Sequence, residues 1–379
     1  MLLAFPLTVD AASEPQSAAD QAFIAGEFDR AEHLYLLNVQ SGMKDAHDLS
    51  RLGDLNLFNN RNAIAVSFYK RALAVDPKDK IAARGLKEAQ ERIQSSVSQP
   101  AFGRTTIVPF VTIDPLPVVK VHLDHRRDAY FLLDTGAPGV VIDPALAKEL
   151  KRDVSSAGSG IFAGGKAAKV EQTTLDSLEL GKAEVRNIPV AVLPMAGAPA
   201  PEGIHVEGIL GTAFFARFLT TLDYAKGRLV LAPRSSAGAF ERRAAKSGAT
   251  PARMWLVGDH FLFARASVNQ RFSGFFNIDT GGNGFGLQLA ESEVAKSGVT
   301  LDVKNKSTMA GPGGEVTAAP FLAAVKLGGF ERQSVPGIVT LGGDQYGIFP
   351  FKVSGTLTHE FFKGHRVTFD FNAMQMVVD

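Results

Sequence analysis

Two segments of this 379-residue chain set an aspartate where a buried strand gives way to a glycine turn. Phe131–Asp143 reads FLLDTGAPGVVID, and Phe275–Leu289 reads FFNIDTGGNGFGLQL. Asp-Thr-Gly suits a turn. An ionisable group at a strand end between apolar runs, however, is costly unless it is paired or used. The two triplets, Asp134-Thr135-Gly136 and Asp279-Thr280-Gly281, begin 145 positions apart, and Gly139 and Gly284 each lie five residues beyond their aspartate. Two such turns at matching places point to one paired site. Carboxylates brought within hydrogen-bonding distance cannot both ionise cheaply, so one keeps its proton and the pair titrates as a unit. Such a pair can hold a water, take a proton from it as it attacks a carbonyl, and polarise that carbonyl with the protonated member. This chemistry needs no metal, cofactor or covalent intermediate. The neighbouring glycines let backbone amides donate to the carboxylates.

The elements that must position the pair repeat as well. Leu178-Glu179-Leu180-Gly181 answers Val325-Lys326-Leu327-Gly328. GILGTAFFARFLTTLDY (Gly208–Tyr224) answers GTLTHEFFKGHRVTFDF (Gly355–Phe371), and a short apolar strand follows each. Short apolar runs broken by Gly and Pro read as β. The sequence therefore divides into two mostly-β lobes, 105–232 and 253–379, joined by a linker at Pro233–Arg253 rich in Ser, Ala, Gly and Arg.

Residues 16–95 read as helices. Ala31 and Tyr35 recur as Ala65 and Tyr69, and Leu52-Gly53, Ala72 and Pro77 fall where a 34-residue tetratricopeptide pattern wants them. The expectation is two tetratricopeptide-like repeats and a closing helix, Ile81–Ile93. Two repeats bury little surface alone, so the segment must lean on the rest of the chain or on another copy. No candidate catalytic group precedes residue 105, so the helices are expected to be dispensable for cleaving short peptides. They are candidates for holding a protein partner.

Composition bounds the alternatives. Hydrophobic residues make up 45% and charged residues 21%, as in a globular protein, and the net charge of +1 without a basic block speaks against nucleic acid. The absence of cysteine excludes disulfides, thiol nucleophiles and cysteine-bound zinc. No apolar run has membrane-spanning length. Residues 1–15 resemble the end of a secretory signal, with cleavage near Ala11 but without a basic start. The expected location is periplasmic or secreted, and otherwise cytoplasmic.

The apolar-apolar-Asp-Thr-Gly-Ala phrase, with the later Ile209-Leu210-Gly211, resembles a retropepsin-like aspartic protease domain. The duplicated layout is similar to that of pepsin-like enzymes, and the short lobes are similar to bacterial proteins of the aspartyl-protease type. The resemblance implies a multidomain chain, with all-α helical repeats followed by two acid-protease-like lobes and a peptide or protein as substrate. It also implies Asp134 and Asp279 as the catalytic dyad. Thr135 and Thr280 would bond across the lobes, and Gly136 and Gly281 would shape the loops. Hairpin flaps would fall at Ser159–Lys166, with Gly160, Gly164 and Gly165, and at Met309–Glu315, with Gly311, Gly313 and Gly314. The departures are Thr356-Leu357-Thr358 in place of apolar-apolar-Gly, Asp-Thr-Gly-Gly in place of Asp-Thr-Gly-Ala, and flaps without tyrosine. Thr358 motivates the rival reading, a peptide-binding protein whose cleft turns over little and whose helices recruit the partner. In a third reading each lobe pairs with a lobe of another chain.

Other signals read as structural. HEFFKGH (His359–His365) lacks the histidine spacing of a zinc protease helix, so no metal is expected there. HLDHRRD (His122–Asp128) reads as a solvated hairpin turn, and Asp223 and Asp370 as strand-end or turn residues.

Overall fold

The computed structural model describes residues 17–42, 45–97, 104–162, 167–311, 314–342 and 346–379, together with the backbone of Leu3–Ala4. Cleavage near Ala11 lies outside these residues. Five helices precede the two lobes: α1 (Ala18–Ile24), α2 (Phe28–Gln40), α3 (Ala46–Phe58), α4 (Asn62–Val75) and α5 (Lys80–Val97).

 The α3 helix begins at Ala46, capped by the Asp45 carboxylate, which accepts from the His47 amide at 3.0 Å. Pro77, two residues past the end of α4, prevents that helix from continuing. The 34-residue period carries into the structure as a repeated bond. Tyr35 Oη donates to Asp20 at 2.6 Å, and Tyr69 Oη donates to Asp54 at 2.8 Å, each spanning fifteen residues.

Seven strands of the first lobe and one from the start of the chain form an eight-stranded sheet. Its members are β1 (Leu3–Ala4), β3 (Val118–Leu123), β4 (Arg127–Leu133), β5 (Val140–Ile142), β6 (Ser155–Phe162), β7 (Ala167–Leu180), β8 (Ala183–Val192) and β9 (Val206–Leu210). β2 (Thr106–Pro109), β10 (Leu219–Asp223) and β11 (Arg228–Ala232) leave that sheet and join the other one. β4 is sequestered on both edges and reads as a nearly continuous apolar run, as a buried strand should. Short helices α6 (Pro144–Glu149) and α7 (Thr212–Phe215) follow β5 and β9. The segment expected to be a plain linker instead carries α8 (Ala237–Lys246), which buries Ala237 and Ala244 and turns its charges outward.

The second lobe follows the same plan. It contains β12 (Ala252–Val257), β13 (Phe261–Val268), β14 (Phe272–Asp279), β15 (Leu287–Leu289), α9 (Val294–Ser297), β16 (Ser307–Gly311), β17 (Gly314–Leu327) and β18 (Phe330–Thr340). It ends with β19 (Gly355–Thr358), α10 (His359–Phe362), β20 (Arg366–Asp370) and β21 (Gln375–Val378). In each lobe the strand bearing the aspartate pairs in parallel with the strand before the short helix: β4 with β9, and β14 with β19.

The lobes share one sheet. β10 pairs antiparallel with β20, Thr221 stands opposite Thr368, and their hydroxyls lie 2.9 Å apart. Asp223 and Asp370 close the turns beyond these strands, accepting from the amides of Lys226 (3.1 Å) and Asn372 (2.9 Å).

The helices pack against the second lobe. Phe23, Phe28 and Phe58 join Trp255, Phe263, Phe275 and Phe351 in one buried aromatic cluster. Phe28 meets Phe275 edge to face at 4.9 Å between centroids. Gly26, at φ 69°, comes so close to Phe275 that a Cβ there would lie 3.1 Å from the Phe275 Cβ. Phe275 lies on β14, four residues before Asp279. The segment therefore leans on the rest of the chain, and its expected dispensability conflicts with this packing.

Candidate active site

Asp134 ends β4 and Asp279 ends β14, so two strands from different lobes deliver one carboxyl each. Both side chains are buried, at 2% and 3% exposure, and their carboxyls are hydrogen-bonded to each other. Backbone amides approach from each loop. Gly136 N–H donates to Asp134 Oδ1 at 2.7 Å, and Gly281 N–H donates to Asp279 Oδ1 at 2.9 Å.

These glycines also permit the approach of the opposite lobe. A Cβ on Gly136 would stand 2.5 Å from Asp279 Oδ1, and one on Gly281 would stand 2.1 Å from Asp134 Cγ. Any side chain at either position would drive the carboxyls apart.

The threonines lock the two loops together. Thr280 Oγ1 accepts from Thr135 N–H at 3.0 Å and donates to the Leu133 carbonyl at 3.2 Å. Thr135 Oγ1 accepts from Thr280 N–H at 3.0 Å and donates to the Ile278 carbonyl at 2.8 Å. Four bonds cross between the lobes at fully buried hydroxyls. A valine would fill the same space and lose two of them.

Burial pushes Asp134 up to about 7, and the adjacent Asp279 carboxyl acts in the same direction. The Gly136 amide pulls it back only in part. The pair therefore keeps one shared proton at mildly acidic pH.

Two of the three departures, Thr358 and the Gly282 of Asp-Thr-Gly-Gly, prove to be one exchange. In the first lobe Gly211 allows the backbone of the aspartate loop to close on it. Its amide donates to the Gly139 carbonyl at 2.6 Å, and a Cβ would lie 2.3 Å from the Ala137 carbonyl oxygen. In the second lobe Thr358 takes that place, and the residue matching Ala137 is Gly282. A Cβ on Gly282 would fall 2.6 Å from the Thr358 methyl. The threonine side chain thus fills the space that the missing Cβ vacates, and its hydroxyl donates to the Phe285 carbonyl. Asp279 keeps its strand register, standing opposite Thr358.

The flap candidates fall on two antiparallel hairpins, β6–β7 and β16–β17. Gly160 lies in β6, Gly311 in β16 and Gly314 in β17, whereas Gly164, Gly165 and Gly313 lie outside the described residues. β1 runs antiparallel to β6, with Leu3 opposite Phe162. Thr212 was not anticipated from sequence. Its Oγ1 donates to the Thr135 carbonyl at 2.8 Å and braces the first loop from beneath. Its place directly after Gly211 was the available signal. The second-lobe counterpart is His359.

Fold and site together define a two-lobed, acid-protease-like architecture with a helical segment ahead of it. Residues 119–214, which lie within the first lobe, match the family described as aspartyl protease. Among solved structures, a retropepsin-like aspartic protease from Rickettsia conorii is similar at 22% identity, covering 34% of this chain and 87% of its own, with a TM-score of 0.24. Conglutin gamma, a basic 7S globulin from lupine seeds, is similar at 11% identity over 73% and 95%, with a TM-score of 0.45. The aspartic proteinase from Irpex lacteus is similar at 14% identity over 72% and 96%, with a TM-score of 0.43. No curated protein sequence matches the chain.

Proposed function

We propose that the protein is an aspartic endopeptidase that hydrolyses internal peptide bonds with a water activated between Asp134 and Asp279. The observation that carries this reading is the hydrogen-bonded pair of buried carboxyls, each held by its own loop amide. In the proposed reaction the pair carries one proton. The ionised carboxyl takes a proton from the water as its oxygen attacks the peptide carbonyl. The protonated carboxyl donates to the carbonyl oxygen, and a proton then passes to the leaving nitrogen as the C–N bond breaks. The four threonine bonds hold the loops in register for this transfer, in which small misplacements are costly. The two hairpins are the proposed flaps over an extended peptide. Glycine at Gly160, Gly311 and Gly314 suits strands that must bend there.

The test is incubation of the purified protein with a mixed peptide library from pH 3 to pH 8, with and without pepstatin, beside the Asp279→Asn variant. Cleavage that is lost in the variant and blocked by pepstatin supports the reading. Cleavage that survives Asp279→Asn refutes it.

A further inference from the structure

We infer that Asp114, His359 and Glu360 form a zinc site that joins the two lobes. His359 is fully buried, and neither ring nitrogen has a hydrogen-bond partner. A buried polar group in that state calls for a missing water or ion. One ring nitrogen, one Asp114 oxygen and one Glu360 oxygen all lie within 4.8 Å of one another. Asp114 comes from the segment between β2 and β3, whereas His359 and Glu360 open α10, so the three donors belong to different lobes. The Tyr224 ring packs against the imidazole in a T-shaped contact, 5.1 Å between centroids.

One imidazole and two carboxylates leave a fourth position for water, a donor set that suits zinc. A neutral imidazole and two carboxylates also balance the charge of the ion. Asp114 is exposed and Glu360 half-buried, so the ion can enter from solvent and the carboxylates can close around it. Lys363 is the competitor. Its ammonium pairs with Asp114 and lies 3.7 Å from Glu360. It brings one positive charge against two negative ones and leaves the imidazole unpartnered. Its side chain is partly exposed on a flexible stem and can turn into solvent when zinc binds. The helix spacing in HEFFKGH does not supply the ligands; the third donor comes from the other lobe. Such a site would tie the first lobe to the helix after Thr358, the strand neighbour of Asp279. It does not depend on the peptidase reading.

The test is calorimetric titration of the metal-stripped, full-length protein with zinc chloride at pH 7.5, together with thermal melts. One saturable site and a rise in melting temperature are expected. Asp114→Asn and Glu360→Gln should each weaken binding about tenfold or more. Lys363→Met should tighten it, because the competing cation is gone. The carboxylate variants carry the test, since both side chains reach solvent and their loss leaves the core intact. Absence of saturable binding overturns the inference. So does an unchanged affinity in either carboxylate variant, which would move the ion to surface groups such as His122 or His125.

Discussion

In an Asp134→Asn variant the side-chain amide takes the place of the protonated carboxyl and can still donate to Asp279. The wild-type carboxyl, by contrast, is ionised only against its surroundings. Its folded value is about 7, against 3.8 for the ordinary group, so folding takes up a proton between these values. The stability tied to that proton is fully present below 3.8 and is lost as pH rises through 7. One unit corresponds to about 1.4 kcal/mol, so the penalty above pH 7 has a ceiling of about 4 kcal/mol. Burying the amide recovers only part of it, and a gain of about 1–3 kcal/mol at pH 8 is expected. The assay is a pair of thermal melts, wild type and variant, at pH 4 and pH 8, with peptide turnover measured on the same samples. The variant should be inactive at both values, should melt several degrees higher at pH 8, and should nearly coincide with the wild type at pH 4. A variant that melts at or below the wild type at pH 8 would show that no strained carboxyl is held there.

The pH profile of turnover should fall as pH rises through about 7, because one carboxyl must stay protonated; peptide hydrolysis that climbs steadily to pH 9 would contradict this. Thr135→Val should cost about 2–4 kcal/mol, since the Thr280 amide and Ile278 carbonyl lose buried partners; a urea midpoint unchanged from wild type would count against the lock. Gly282→Ala should destabilise by about 1–3 kcal/mol through its clash with Thr358, and Thr358→Gly in the same chain should relieve much of that cost. Additive losses in that double-mutant cycle would mean that the two positions do not share space. Removal of residues 1–102 should yield an aggregating chain, because Phe275, Trp255 and Phe351 would lose their cover; a soluble, cooperatively melting truncation would refute this.

The duplicated phrases made the aspartate loops, the lobes and the helical period legible, because strand and turn chemistry is local. Thr135 and Thr280 were also readable, through the resemblance rather than through their own pattern. The Gly282–Thr358 exchange was not. Each residue looked like a separate defect, and only the contact between a missing Cβ and a methyl makes them one solution. The aromatic cluster was hidden for a similar reason. Phe28 and Phe275 each fit their own element's core, and nothing in their spacing says that they meet. The helix in the linker between the lobes was masked by its Ser, Gly and Arg content, and its only buried side chains are two alanines.

The strand pairing centred on Thr221 and Thr368 places each lobe's copy of one segment against the other's, related by a local twofold axis. An assembly built from two separate copies would lose its paired carboxyls on dilution, because the halves would part. Here the covalent connection through α8 makes their encounter intramolecular, so integrity depends on a tether rather than on protein concentration. That freedom has a second face. Once the halves cannot exchange partners, a change in one need not suit both. A threonine can settle beneath one carboxyl while a glycine remains beneath the other, and a helical segment can attach to one side only.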